Sequence, residues 1–132
     1  MKKILTAAFC AAMASPALAQ GWPTGYEGVM LQGFYWDSYS DSQWKNLEKQ
    51  APELGSYFSL LWVPQSGKCL EDYNVMGYTP YYYFNQNSSF GSEAELRSMI
   101  GAMRQNGVGV LADVVINHHN TSGWFSLPKE EY

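Results

Sequence analysis

Paired cysteine is missing from the body of this chain. Two cysteines occur in 132 residues, Cys10 and Cys69, and Cys10 sits in an apolar N-terminal stretch that reads as a leader. One remaining thiol closes no internal disulfide, so stability has to come from a packed core. Basic charge is scarce as well. Eight Lys and Arg stand against twelve Asp and Glu, a formal net charge of −4, which leaves no electrostatic footprint for nucleic acid. The longest apolar run falls short of the ~20 residues a transmembrane helix needs. No Gly-rich phosphate loop follows the first predicted strand, so a nucleotide-binding α/β domain is disfavoured. No internal repeat is visible.

What is present begins with that leader. Lys2 and Lys3 supply a positive start, Ile4 to Ala14 an apolar middle, and Ala17-Leu18-Ala19 a small-x-small cleavage site. Residues 1–19 therefore read as a bacterial signal peptide cleaved after Ala19, which predicts a secreted or periplasmic protein with no membrane span once it is removed. Aromatic residues make up 16% of the chain, with 10 Tyr and 5 Trp. Such rings fill cores, and they also stack on the apolar faces of sugars.

The remaining chain alternates strand and helix signals. Val29 to Trp36 reads as a strand. A helix follows, with Asp41 or Ser42 as cap, Trp44, Leu47, Ala51 and Leu54 on one face, and Pro52 set to kink or end it. Tyr57 to Val63 is a second strand, stopped by Pro64. Gln65 to Gly91 is a long aromatic and polar segment, longer than the roughly 2–6 residues that usually connect strands and helices, and loops of that length are often functional. Ser92-Glu93-Ala94-Glu95 is a capping box opening a second helix. Leu96, Met99, Ile100 and Met103 give that helix one apolar stripe, and Asn106-Gly107 stops it. Gly107 to His119 then reads as a strand buried on both faces, carrying one buried acid, Asp113, and ending in Asn117, His118 and His119. The order β-α-β-α-β predicts an α/β fold with a parallel sheet. Three strands and two helices leave such a sheet open at both edges, which predicts the N-terminal portion of a larger enzyme.

Asp113-Val114-Val115-Ile116-Asn117-His118 resembles the first signature region of glycoside hydrolase family 13, the α-amylase family. Leu31-Gln32-Gly33-Phe34-Tyr35-Trp36 is similar to the opening strand of plant-type and related bacterial α-amylases. Leu61-Trp62-Val63-Pro64 resembles the end of their second strand. Gly77-Tyr78-Thr79-Pro80, Tyr82 and Phe90-Gly91-Ser92 resemble the loop that leads into their second helix. The resemblance covers nearly all of residues 26–132.

The resemblance implies the first three strands and two helices of a (β/α)₈ TIM barrel at 20–119, incomplete in this chain, with residues 120–132 starting the domain inserted after strand three. It implies a retaining glycosidase cleaving α-1,4-glucosidic bonds in starch, glycogen or maltooligosaccharides, acting as a monomer. Tyr78 matches the tyrosine that stacks on a glucose ring beside the scissile bond. His118 matches a substrate-binding histidine. Asp113 matches an acid that holds neighbouring active-site side chains, an arginine of a later strand among them. Asn117 matches one ligand of a structural Ca²⁺, whose other ligands would lie outside this chain. The family's catalytic carboxylates fall on later strands, so no catalytic residue is assigned here and this polypeptide alone is predicted to hydrolyse nothing. Three other readings remain open on the residues. They are another specificity of the same family, a glycan-binding protein without catalytic carboxylates, and a secreted metal-dependent hydrolase built on Asp113, His118 and His119. In the last reading adjacent histidines on a strand point to opposite sides. Cys69, with no histidine nearby in sequence, reads as a loop or packing residue.

Overall fold

The computed structural model describes residues 27–70, 75–82 and 84–120. The predicted leader at 1–19 and all but Asn120 of the predicted insertion start at 120–132 lie outside these residues. No helix among the described residues is long and apolar enough to cross a membrane.

Three strands, β1 (Met30–Gln32), β2 (Leu60–Val63) and β3 (Gly109–Ala112), form one parallel sheet in the order β1-β2-β3. Leu60 pairs with Met30 on one side and Gly109 on the other. Helix α1 (Trp44–Leu54) joins β1 to β2, and α2 (Glu93–Gln105) precedes β3. This is the predicted α/β order with all strands parallel. Parallel neighbours need a crossover long enough to bring the chain back to the same end, which the two helices supply.

The core lies between the sheet and the helices. Trp44, Leu47 and Ala51 of α1 meet Leu96, Met99 and Met103 of α2, with Leu61 and Val63 of β2, Phe90 and Val108 closing the layer. The Trp44 and Phe90 rings pack at 5.3 Å. The capping box at α2 is complete. Ser92 Oγ accepts from the Glu95 N–H at 3.3 Å, and Glu95 Oε2 accepts from the Ser92 N–H at 2.9 Å. Gly107, with φ 78°, turns the chain out of α2 in the left-handed region that a β-carbon disfavours.

Several predicted details are corrected. Neither Asp41 nor Ser42 caps α1. The chain first makes a 3₁₀ turn at Ser38–Ser40, where the Ser42 hydroxyl is spent on Ser38 Oγ at 3.0 Å, and Gln43 becomes the N-cap without a side-chain bond. Pro52 lies within α1, which ends two residues later. Ile100 leaves the apolar stripe of α2 and is 39% exposed.

The predicted strand from 107 to 119 is only four residues long, and it is not buried on both faces. The Asp113 N–H donates to the Val63 carbonyl at 3.1 Å. β2 itself ends at Val63, which pairs with Ala112. Beyond that point Val114 is 64% and Ile116 90% exposed. β2 is buried only on alternate residues, Leu61 and Val63, because the helices cover one face. On the other face Phe34 packs edge-on against Trp62 at 5.2 Å.

Candidate functional site

The polar residues singled out by sequence converge at the C-terminal edge of the sheet, the edge where parallel α/β folds place their ligands. Trp36 arrives shortly after β1, Tyr78 from the long segment after β2, and Asp113 directly after β3. The Tyr78 hydroxyl donates to Asp113 Oδ2 at 3.0 Å. His118 Nε2 lies 2.8 Å from the Tyr78 carbonyl oxygen, and a ring N–H there donates to it. Trp36 and Tyr78 lie with their rings nearly parallel, 3° apart, at 6.4 Å between centroids. Trp36 is 73% exposed, so this aromatic pair opens to solvent.

Asp113 is half-buried rather than buried, and its carboxylate has a partner within the chain. That partner is Tyr78, from the loop after β2. Partial burial raises the Tyr78 phenol above its ordinary value, and the hydrogen bond to the Asp113 carboxylate raises it further, since a phenolate there would face a negative charge.

His118 and His119 part company. His119 is half-buried and stacks on Tyr81 at 6.0 Å and 22°, while His118 turns to the Tyr78 backbone. Asn117 is exposed at the end of this segment. It offers one amide oxygen, whereas calcium takes six to eight oxygen ligands. Among the described residues no group of three or more His, Cys, Asp or Glu could hold a metal ion. The described residues thus do not by themselves fit a calcium ion.

The segment after β2 is held by its own backbone. Cys69, buried, pairs with Pro80 in an antiparallel bridge, the packing role its sequence context indicates. The Lys68 N–H donates to Asn85 O at 2.9 Å, and Lys68 O accepts from Tyr81 and Tyr82 at 3.2 Å each. The Asn120 N–H donates to Pro80 O at 2.8 Å, which fastens the segment after β3 to this loop.

Two residues of the site escape sequence reasoning. Trp36 was legible only as a strand residue, although an aromatic side chain at the end of a strand was a usable signal. Gln65 gave none beyond its place next to Pro64. It is buried, and it reaches across to the Gly77 carbonyl just before Tyr78.

No family model matches the chain. It is 33% identical over 116 residues to probable alpha-amylase 2 of Arabidopsis thaliana, covering 79% of this chain and 27% of that one. It is 36% identical over 140 aligned positions to a glucan 1,4-alpha-maltotetraohydrolase of Roseateles saccharophilus, covering 91% and 25%. The chain thus spans about a quarter of the length of these curated relatives. Among solved structures it superposes on alpha-amylase I of Eisenia fetida, crystallised with maltohexaose, with a TM-score of 0.56 and 23% identity over 72% of this chain and 18% of that one.

Proposed function

Since this chain is an α-amylase-like stretch of glycoside hydrolase family 13, similar to plant and bacterial α-amylases, we propose that it forms one wall of the glucan cleft in a secreted or periplasmic enzyme. The whole protein hydrolyses α-1,4-glucosidic bonds of starch-like glucans with retention of configuration, and it acts as a monomer. The observation that carries this reading is the convergence of Tyr78, Asp113 and His118, from two separate loops, on one edge of a parallel sheet.

Tyr78 presents its ring to the apolar face of a glucose unit. Asp113 accepts a hydrogen bond from the phenol and thereby sets the ring's tilt. An aromatic face held in one orientation fixes the sugar near its reactive geometry, and orientation of this kind lowers the barrier. His118 keeps Nε2 on the Tyr78 carbonyl and has a second ring nitrogen for a sugar hydroxyl. Bonds to such hydroxyls strengthen as the oxocarbenium-like transition state forms. Trp36, beside Tyr78, extends the aromatic surface. The two carboxyl groups a retaining mechanism needs come from chain outside these 132 residues. A structural calcium ion would bind Asn117 as one of its ligands and join the barrel to the inserted domain.

The test is the full-length protein against soluble starch and maltohexaose, with wild type, Tyr78→Ala and His118→Ala compared. New reducing ends should form with retained anomeric configuration. Misplaced substrate should cost Tyr78→Ala up to about a hundredfold in kcat/KM. Glucan binding without cleavage would replace this reading with that of a glycan-binding protein. Neither binding nor cleavage would overturn both.

A further inference from the structure

The Gly77-Tyr78 peptide is held at two successive carbonyls. His118 meets the Tyr78 carbonyl from the site side, and Gln65 meets the Gly77 carbonyl from behind. Gln65 Nε2 donates to Gly77 O at 3.0 Å, and Gln65 Oε1 accepts from the Gly67 N–H. Gln65 is 8% exposed, so water competes poorly for either bond. Gly77 takes a φ of 91°, and a β-carbon there would stand 2.6 Å from the Gln65 carbonyl oxygen. The close approach and the amide bond therefore occur at the same place. One side chain closes a twelve-residue loop using both ends of its amide, a donor at one and an acceptor at the other.

We propose that Gln65 is a positioning residue for glucan binding. It fixes the Gly77-Tyr78 peptide from beneath and so holds the Tyr78 ring against the sugar. This rests on the reading of Tyr78 as the glucose-stacking residue. It adds a residue that never touches substrate. The chemistry requires a group that donates and accepts at once. A carboxylate of the same shape keeps the acceptor for Gly67 but turns a negative oxygen on the Gly77 carbonyl. A protonated carboxyl restores the donor.

The experiment compares the full-length wild type with Gln65→Glu, in the presence and absence of Tyr78→Ala, using maltohexaose hydrolysis. At neutral pH Gln65→Glu should lower kcat/KM by about tenfold or more, as loss of substrate orientation does. In the Tyr78→Ala background the same change should cost less than about twofold, because residues acting through one another are not additive. The loss relative to wild type at each pH should shrink as the pH falls through the glutamate pKa, ordinarily about 4.3. Equal losses in both backgrounds, no loss in either, or a loss independent of pH would overturn the role. If Gln65→Glu does not fold, amide exchange in the wild type decides. The Gly67 N–H should exchange far more slowly than exposed loop amides, and fast exchange would remove the clamp. A wild type inert on maltohexaose would instead overturn the glucan reading itself.

Discussion

The Tyr78 hydroxyl donates to Asp113 Oδ2 at 3.0 Å across 35 residues of sequence. The bond joins the loop after β2 to the residue directly after β3. It gives Asp113 a partner within the chain and gives the aromatic face of Tyr78 a fixed tilt.

Tyr78→Phe separates these two effects. The ring remains and the donor is lost. Stability should fall by about 1 kcal/mol, the usual net worth of a hydrogen bond, as read by denaturant unfolding of the full-length protein. Hydrolysis of maltohexaose should suffer less than in Tyr78→Ala. Equal losses in the two variants would place the effect in the hydroxyl and not in the stacking face.

Alkaline titration should report on the same residue. Partial burial, and then the Asp113 carboxylate, raise the Tyr78 phenol above the ordinary 10.0. The neutral phenol is therefore favoured by the fold. Its contribution to stability is complete below the ordinary value and is lost as pH rises through the higher folded one. An ultraviolet titration should show late-ionising tyrosines, Tyr35 beside Asp41 among them, and one of them should disappear in Tyr78→Phe. An unchanged titration curve would contradict the assignment.

The capping box makes the opposite pH prediction. Lys45, at 2.6 Å, and the Ser92 N–H hold Glu95 below its ordinary 4.5. This contribution is present above the ordinary value and is lost as pH falls through the lower folded one. Ser92→Ala removes the other half of the box and should cost about 1 kcal/mol. Thermal unfolding at neutral pH would detect the loss, and glucan kinetics should stay unchanged.

Gly77→Ala should be poorly tolerated. The backbone sits at φ 91° and the added carbon would meet Gln65 O at 2.6 Å. Left-handed strain alone costs about 1–3 kcal/mol. A Tm equal to wild type would show that this loop relaxes freely. Any relaxation that does occur should displace Tyr78 and reduce activity.

Met99→Ala tests the core. Met99 is fully buried between α1, α2 and the sheet. Truncation there should cost about 2–5 kcal/mol, because the surrounding side chains collapse only partly into the space left behind. A cost below 1 kcal/mol would mean that the helix layer repacks.

Much of this fold was legible in the chain itself. The capping box at Ser92 and the stop at Asn106-Gly107 are local devices, and local physics delivers them as written. The alternation of strand and helix signals carried the element order. Strand lengths were not legible, because an apolar run such as Val114 to Ile116 is extended only where a neighbour offers a ladder. β2 ends at Val63, and the paired stretch of β3 ends with it at Ala112. The cap of α1 was also misread, since nothing local announces that Ser42 will spend its hydroxyl on Ser38.

The sequence by itself determined the parallel β-α-β-α-β order and the residue types at the strand ends, since periodicity, caps and turn residues act within a few positions of one another. Only the tertiary structure decided which side chains meet. That Tyr78 turns to Asp113, that Trp36 lies parallel to it, and that Gln65 reaches Gly77 depend on loops closing in space. Contacts of that kind are set by the packing of the whole sheet edge, and spacing along the chain does not encode them.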